Sequence, residues 1–82
     1  MKTKTQLKSM MKNGFLDDVY KECRRYGEIK SNFDFEYTYT VNFKTNERKT
    51  DLVTEIQIEY KDLLWTFELV KGLCTSAGYK NI

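Results

Sequence analysis

The chain has 82 residues, 40% of them hydrophobic and 15% aromatic, with a formal net charge of +2 and neither proline nor histidine. That length fits one domain over residues 1–82, and the composition excludes a disordered polymer. The absence of histidine removes the usual general base, the usual zinc ligand, and the Ser-His and Cys-His nucleophile pairs.

Leu7, Met10 and Met11 stand at i, i+3 and i+4, which predicts a short amphipathic helix over residues 3–12. Asn13-Gly14 reads as its stop or as a kink. A second helix is predicted from Phe15 to Tyr26, with Leu16, Val19, Tyr20 and Cys23 on its apolar face. Asp17 and Asp18 suit the positive end of its dipole, Arg24 and Arg25 suit the negative end, and Gly27 terminates it.

From Phe33 the period changes to two. Phe33, Phe35, Tyr37, Tyr39, Val41 and Phe43 alternate with polar residues, the pattern of a strand buried on one face. Residues 45–51 read as a connecting loop. A second strand carries Leu52, Thr54, Ile56, Ile58 and Tyr60 on one side, and a third carries Leu63, Trp65, Phe67 and Leu69. A two-residue turn at Lys61-Asp62 places Tyr60 opposite Leu63, Ile58 opposite Trp65 and Ile56 opposite Phe67. A loop centred on residues 47–48 places Phe43 opposite Leu52, so Tyr37, Tyr39, Trp65 and Phe67 all read as core. Leu73, Cys74 and Ala77 are compatible with one or two helical turns. The predicted fold is therefore α+β: two N-terminal helices packed on a three-stranded antiparallel sheet, with a short C-terminal helix as an option.

No apolar run reaches the ~18 residues of a membrane helix, and the N-terminus lacks a signal-peptide core. The expectation is a cytoplasmic protein, with Cys23 and Cys74 as small hydrophobes rather than a disulfide pair or metal ligands. Lysine outnumbers arginine eleven to three, which points to an AT-rich genome such as that of a low-GC bacterium or its phage.

Charge is polarised. The first thirty residues carry eight basic and four acidic side chains, and the remainder carry six basic and eight acidic. Lys4, Lys8 and Lys12 form a stripe on the first helix, and Lys21, Arg24 and Arg25 cluster on the second. Outward positions of the predicted sheet are acidic: Asp34, Glu36, Glu55, Glu59 and Glu68, with Glu55 facing Glu68 and Glu36 facing Glu59.

No phosphate-cradling glycine loop or dinucleotide fingerprint is present, and no carboxylate pair has the setting of a catalytic acid. The expected role is that of a non-enzymatic interaction protein without a cofactor, an accessory or inhibitory protein of a phage or mobile element that acts by occluding a surface. Glu36, Glu55, Glu59 and Glu68 would meet a basic partner protein, joined by Tyr37 and Tyr39 where the helices leave the sheet uncovered. Helices of ~18 Å cover strands of ~40 Å only if they lie nearly end to end or the sheet is strongly twisted; otherwise a homodimer or a partner is expected to complete the burial. The alternative is a nucleic-acid-binding regulator using Lys4, Lys8, Lys12, Lys21, Arg24 and Arg25.

Overall fold

The computed structural model covers Met1–Ile82. Thr3 caps α1 (Lys4–Lys12): its hydroxyl accepts from the Gln6 N–H at 3.1 Å, and the Gln6 side chain accepts from the Thr3 N–H at 2.8 Å. This reciprocal pair satisfies two of the donors a helix start leaves free. Gly14, at φ 87, reverses the chain into α2 (Leu16–Tyr26). Asp17 and Asp18 occupy the first turn of α2, and Arg24 and Arg25 the last, the charge order its dipole favours.

Gly27 ends α2 as predicted, but with an ordinary φ of −89. Its lack of a side chain serves a close approach instead. A Cβ at this position would lie 2.6 Å from Ile58 Cγ2, 2.7 Å from the Cys23 carbonyl oxygen and 2.8 Å from that of Glu59.

Four strands follow: β1 (Glu28–Asn42), β2 (Glu47–Tyr60), β3 (Leu63–Val70) and β4 (Leu73–Asn81). They form an antiparallel meander in the order β1-β2-β3-β4. Two helices on an antiparallel sheet agree with expectation, whereas three strands and a C-terminal helix do not. Lys61 and Asp62, at φ 53 and 63, make the predicted two-residue turn, and Tyr60 faces Leu63. Lys71 and Gly72, at φ 53 and 79, make a second turn of this left-handed form, which sends residues 73–81 back along β3 instead of into a helix.

Leu7, Val19, Tyr20 and Cys23 from the helices meet Ile56, Ile58, Tyr60, Leu63, Trp65, Phe67 and Leu69 in one buried cluster. The Tyr20 ring sits edge-on to Phe67 at 5.2 Å, and the buried Trp65 indole donates to the Tyr60 carbonyl at 2.8 Å. Cys23 and Cys74 are free thiols, the first fully buried and the second packed against the cluster. No helix is long and apolar enough to cross a membrane.

The main correction concerns β1. Leu52 faces Glu36, not Phe43, a displacement of seven positions. Phe43 sits in the turn at residues 43–46 and is 91% exposed. An odd displacement exchanges the two faces of a strand. The exchange is made at Lys30, the extra residue between the pairs Ile29–Ile58 and Ser31–Gln57. Such a bulge turns every following side chain over. Phe33, Phe35, Tyr37 and Tyr39 therefore project from the side without helices, while Asp34, Glu36, Thr38 and Thr40 share the helix side. Neither Tyr37 nor Tyr39 is core, Glu36 does not face Glu59, and Asp34 and Glu36 leave the outer acidic strip. The reason is coverage: α2 packs over β2, β3 and β4 and only grazes β1, so the apolar row of an edge strand finds no helix to pack against.

Pairing of β1 with β2 runs on beyond the Val53–Val70 pair, where β3 ends. Residues 36–52 thus form a two-stranded arm, and the molecule measures 48 Å along its longest axis against 25 and 21 Å across.

Candidate functional site

The side of the sheet away from the helices is uncovered, and β1 supplies its aromatic row. Phe33 is 49% and Tyr37 56% exposed, and Phe35 and Tyr39 are half-buried. Side chains two apart on a strand share a face, and these meet as ring pairs: Phe33–Phe35 at 6.1 Å and Tyr37–Tyr39 stacked at 5.8 Å. Phe35, Val53 and Val70 lie in one row across three strands. Val53 is buried by these neighbours although it lies outside the helix-side cluster. Beside it runs a groove of about 510 Å³ lined by Tyr37, Tyr39, Asp51, Val53, Glu68, Val70 and Thr75.

Carboxylates flank this apolar ground. Asp51 pairs with Tyr37 in the register, and hydrogen bonding to Asp51 raises the pKa of the neighbouring Tyr39 hydroxyl above its ordinary value. Glu55 faces Glu68 directly, as predicted, an unfavourable placement for like charges. The ion pairs of the molecule are Lys21–Asp17 at 3.0 Å and Lys30 with Glu28 and Glu59 at 3.3 and 3.4 Å. Glu59 is thus compensated, whereas Asp51, Glu55 and Glu68 have no cation at ion-pair distance. The structure joins Tyr37, Tyr39, Glu55 and Glu68 on one surface and sets Glu36 on the opposite side of the arm.

The basic residues are dispersed. Lys4, Lys8 and Lys12 follow one stripe of α1, with the Lys8 ammonium 5.1 Å above the Tyr79 ring. Lys21 is held by Asp17, and Arg24 donates to the Tyr20 hydroxyl at 2.6 Å. Arg25 lies over the Tyr26 ring and shares a recess with Lys2, Lys21, Asp18 and Glu22. Acidic groups therefore interleave the cationic ones on α2.

Two further groups are structural ties. Glu22 accepts from the Tyr60 hydroxyl at 2.8 Å and the Lys2 N–H at 3.0 Å. The Lys2 bond, seconded by Tyr60, holds its carboxyl below the usual glutamate value. Burial pushes the Cys23 thiol up to about 12, far from the range of a nucleophilic cysteine. No cluster of three or more His, Cys, Asp or Glu side chains is placed to hold a metal ion.

Alternation alone marks neither Phe33, Phe35 and Asp51 as surface residues nor Val53 as buried on the side without helices. Leu52-Val53 carries a partial signal: two adjacent apolar residues in an alternating strand put one on each face, and here Val53 is the buried one while Leu52, opposite Glu36, is 61% exposed. No protein-family model, curated protein or solved structure matches the chain.

Proposed function

We propose that this protein is a non-enzymatic interaction module that docks on a basic surface of a larger protein through the uncovered side of its sheet and acts by occluding that surface. The observation that supports the reading is the exposed aromatic row of β1 lying beside three unpaired carboxylates, Asp51, Glu55 and Glu68. Contiguous apolar surface of this kind marks an interaction site more often than plain solvent-facing sheet. Its chemistry suits arginine and lysine, because ring faces attract cations and the carboxylates supply ion pairs. Tyr37, Tyr39, Glu55 and Glu68 form the centre of the contact, and Phe33, Phe35 and Asp51 extend it. Glu36 and Glu59 fall outside it, the first on the other side of the sheet and the second neutralised by Lys30. A small cytoplasmic accessory or inhibitory protein of a phage or mobile element would need no more than such a surface.

An acidic face repels phosphate, so nucleic acid would have to approach the helices, where Lys21 and Arg24 already have partners. The test is capture of the tagged protein's ligands from a low-GC bacterial lysate, with and without nuclease. A stoichiometric protein partner that survives nuclease is expected, lost in the double variant Glu55→Lys/Glu68→Lys and kept in Lys8→Glu/Lys12→Glu. Loss of all partners on nuclease treatment, or the reverse dependence on the two variants, would move the function to the helices and to nucleic acid.

A further inference from the structure

We infer that the free edge of β1 is a self-pairing surface, on which a second copy of this chain lays its own β1 antiparallel and joins two four-stranded sheets into one. The argument starts from backbone direction, independently of the docking face above. A two-residue turn makes its flanking residues a pair that exchange hydrogen bonds, here Tyr60 and Leu63. Alternation then points the N–H and C=O groups of Ile58, Ile56 and Thr54 at β3, and those of Gln57, Glu55, Val53 and Asp51 at β1. Their partners on β1 are Ser31, Phe33, Phe35 and Tyr37. The intervening residues Asn32, Asp34, Glu36, Thr38 and Thr40 are left with amides and carbonyls aimed away from the sheet.

Natural sheets blunt such an edge with charges, above all lysine, with proline or with bulges. The bulges of β1 lie at Lys30 and Val41, and the ten residues between them, Ser31–Thr40, are regular, contain neither lysine nor proline and carry only Asp34 and Glu36 as charges. β4, the opposite edge, is broken by the extra residue Thr75. Half of the open stretch of β1 lies in the arm, where two strands stand without a third and without a helix. Isolated two-stranded ribbons are marginal in water, and pairing lays each arm along the Asn32–Glu36 segment of the second copy's β1, so that the ribbon gains that copy's sheet as a neighbour.

The side chains bound the register, placing the axis at Tyr37 or Thr38, and make the edge self-complementary, which points to a second copy as the occupant. With the two-fold axis at Tyr37, Glu36 faces Thr38 of the second copy, Asp34 faces Thr40 and Phe35 faces Tyr39. No like charges stand directly opposite each other. An axis one residue earlier would set Glu36 against itself, and two residues earlier would set Asp34 against Glu36. The axis stands perpendicular to the sheet, so both helical layers fall on one side and both aromatic rows run side by side on the other.

The test is sedimentation equilibrium over a concentration series, on the unaltered chain and on Thr38→Pro. Proline there removes an outward N–H, and the two-fold counts the loss twice, while the ladder to β2 keeps all its bonds. A monomer–dimer equilibrium is expected, weakened about thirtyfold in Thr38→Pro. Amide hydrogen exchange of the unaltered chain reads the same surface without a substitution. The Asp34, Glu36 and Thr38 amides should slow as concentration rises, while those of Phe35 and Tyr37 stay constant. A monomer at every concentration, a Thr38→Pro dimer of undiminished affinity, or a dimer whose Asp34, Glu36 and Thr38 amides exchange freely would overturn the inference.

Discussion

Gly27→Ala tests the seating of α2 on the sheet, because two opposing effects predict opposite signs. On conformational grounds alone, replacing glycine at an ordinary φ stabilises a protein by roughly 0.4–1 kcal/mol through the unfolded chain. At Gly27 the new methyl group would meet Ile58 Cγ2 at 2.6 Å and two carbonyl oxygens at 2.7 and 2.8 Å. Ile58 is fully buried, and the oxygens belong to the backbone of α2 and of β2, so none of the three has room to yield. Overpacking of this kind costs about 1–3 kcal/mol, and the net effect is destabilising by about 1–2 kcal/mol. In a domain of this size that lowers Tm by roughly 5–15 °C. Gly78→Ala is the internal control: nothing lies within 4 Å of a Cβ there and its φ is not left-handed, so it should raise stability or leave it unchanged. Thermal unfolding followed by circular dichroism measures both variants. A Gly27→Ala protein as stable as Gly78→Ala would show that α2 does not approach β2 as described.

Trp65→Phe should cost about 2 kcal/mol in urea unfolding, since it leaves the Tyr60 carbonyl without its indole donor and opens a void in the core. The Glu22 carboxyl is held below its ordinary 4.5 by Lys2 and Tyr60, so on acidification the unfolded chain takes up that proton first. Its stabilising contribution is complete above 4.5 and lost as pH falls through the lower folded value. Glu22→Gln should therefore flatten the acid limb of stability against pH, and an unchanged limb would refute the tie. Asp62 holds φ 63 in the β2–β3 turn, a conformation that costs side-chain-bearing residues about 1–2 kcal/mol. Asp62→Gly should raise the urea midpoint by about 1 kcal/mol equivalent.

How far the sequence discloses the fold depends on where the chain keeps strict count. The pairing of β2 with β3 was readable because a two-residue turn and two unbroken alternations leave a single register that buries Ile56, Ile58, Trp65 and Phe67 together. Glu55 opposite Glu68 followed from the same count. β1 was readable as a strand but not as to its face, because parity is exchanged by the bulges at Lys30 and Val41, and neither leaves a compositional mark. The placement of Tyr37 and Tyr39 was lost with it. β4 was hidden by Gly78 and by the Thr75 bulge, which separates Cys74 from the Ala77 and Tyr79 that share its face. Lys71-Gly72 was the readable sign, a pair suited to the left-handed turn that returns β4 along β3.

The meander also fixes an order of events in folding. Each strand pairs only with its neighbour in the chain, so the sheet can assemble by successive local closures of the kind that proceed quickly. The helices cannot mature on that schedule. Leu7, Val19 and Cys23 precede every strand in the chain, yet the side chains they are buried against lie on β2 and β3. Isolated helices of 9 and 11 residues are too short to persist in water. The helices therefore gain a surface to pack on once the β2–β3 hairpin has closed, and β4 completes the cluster with Cys74 and Ala77.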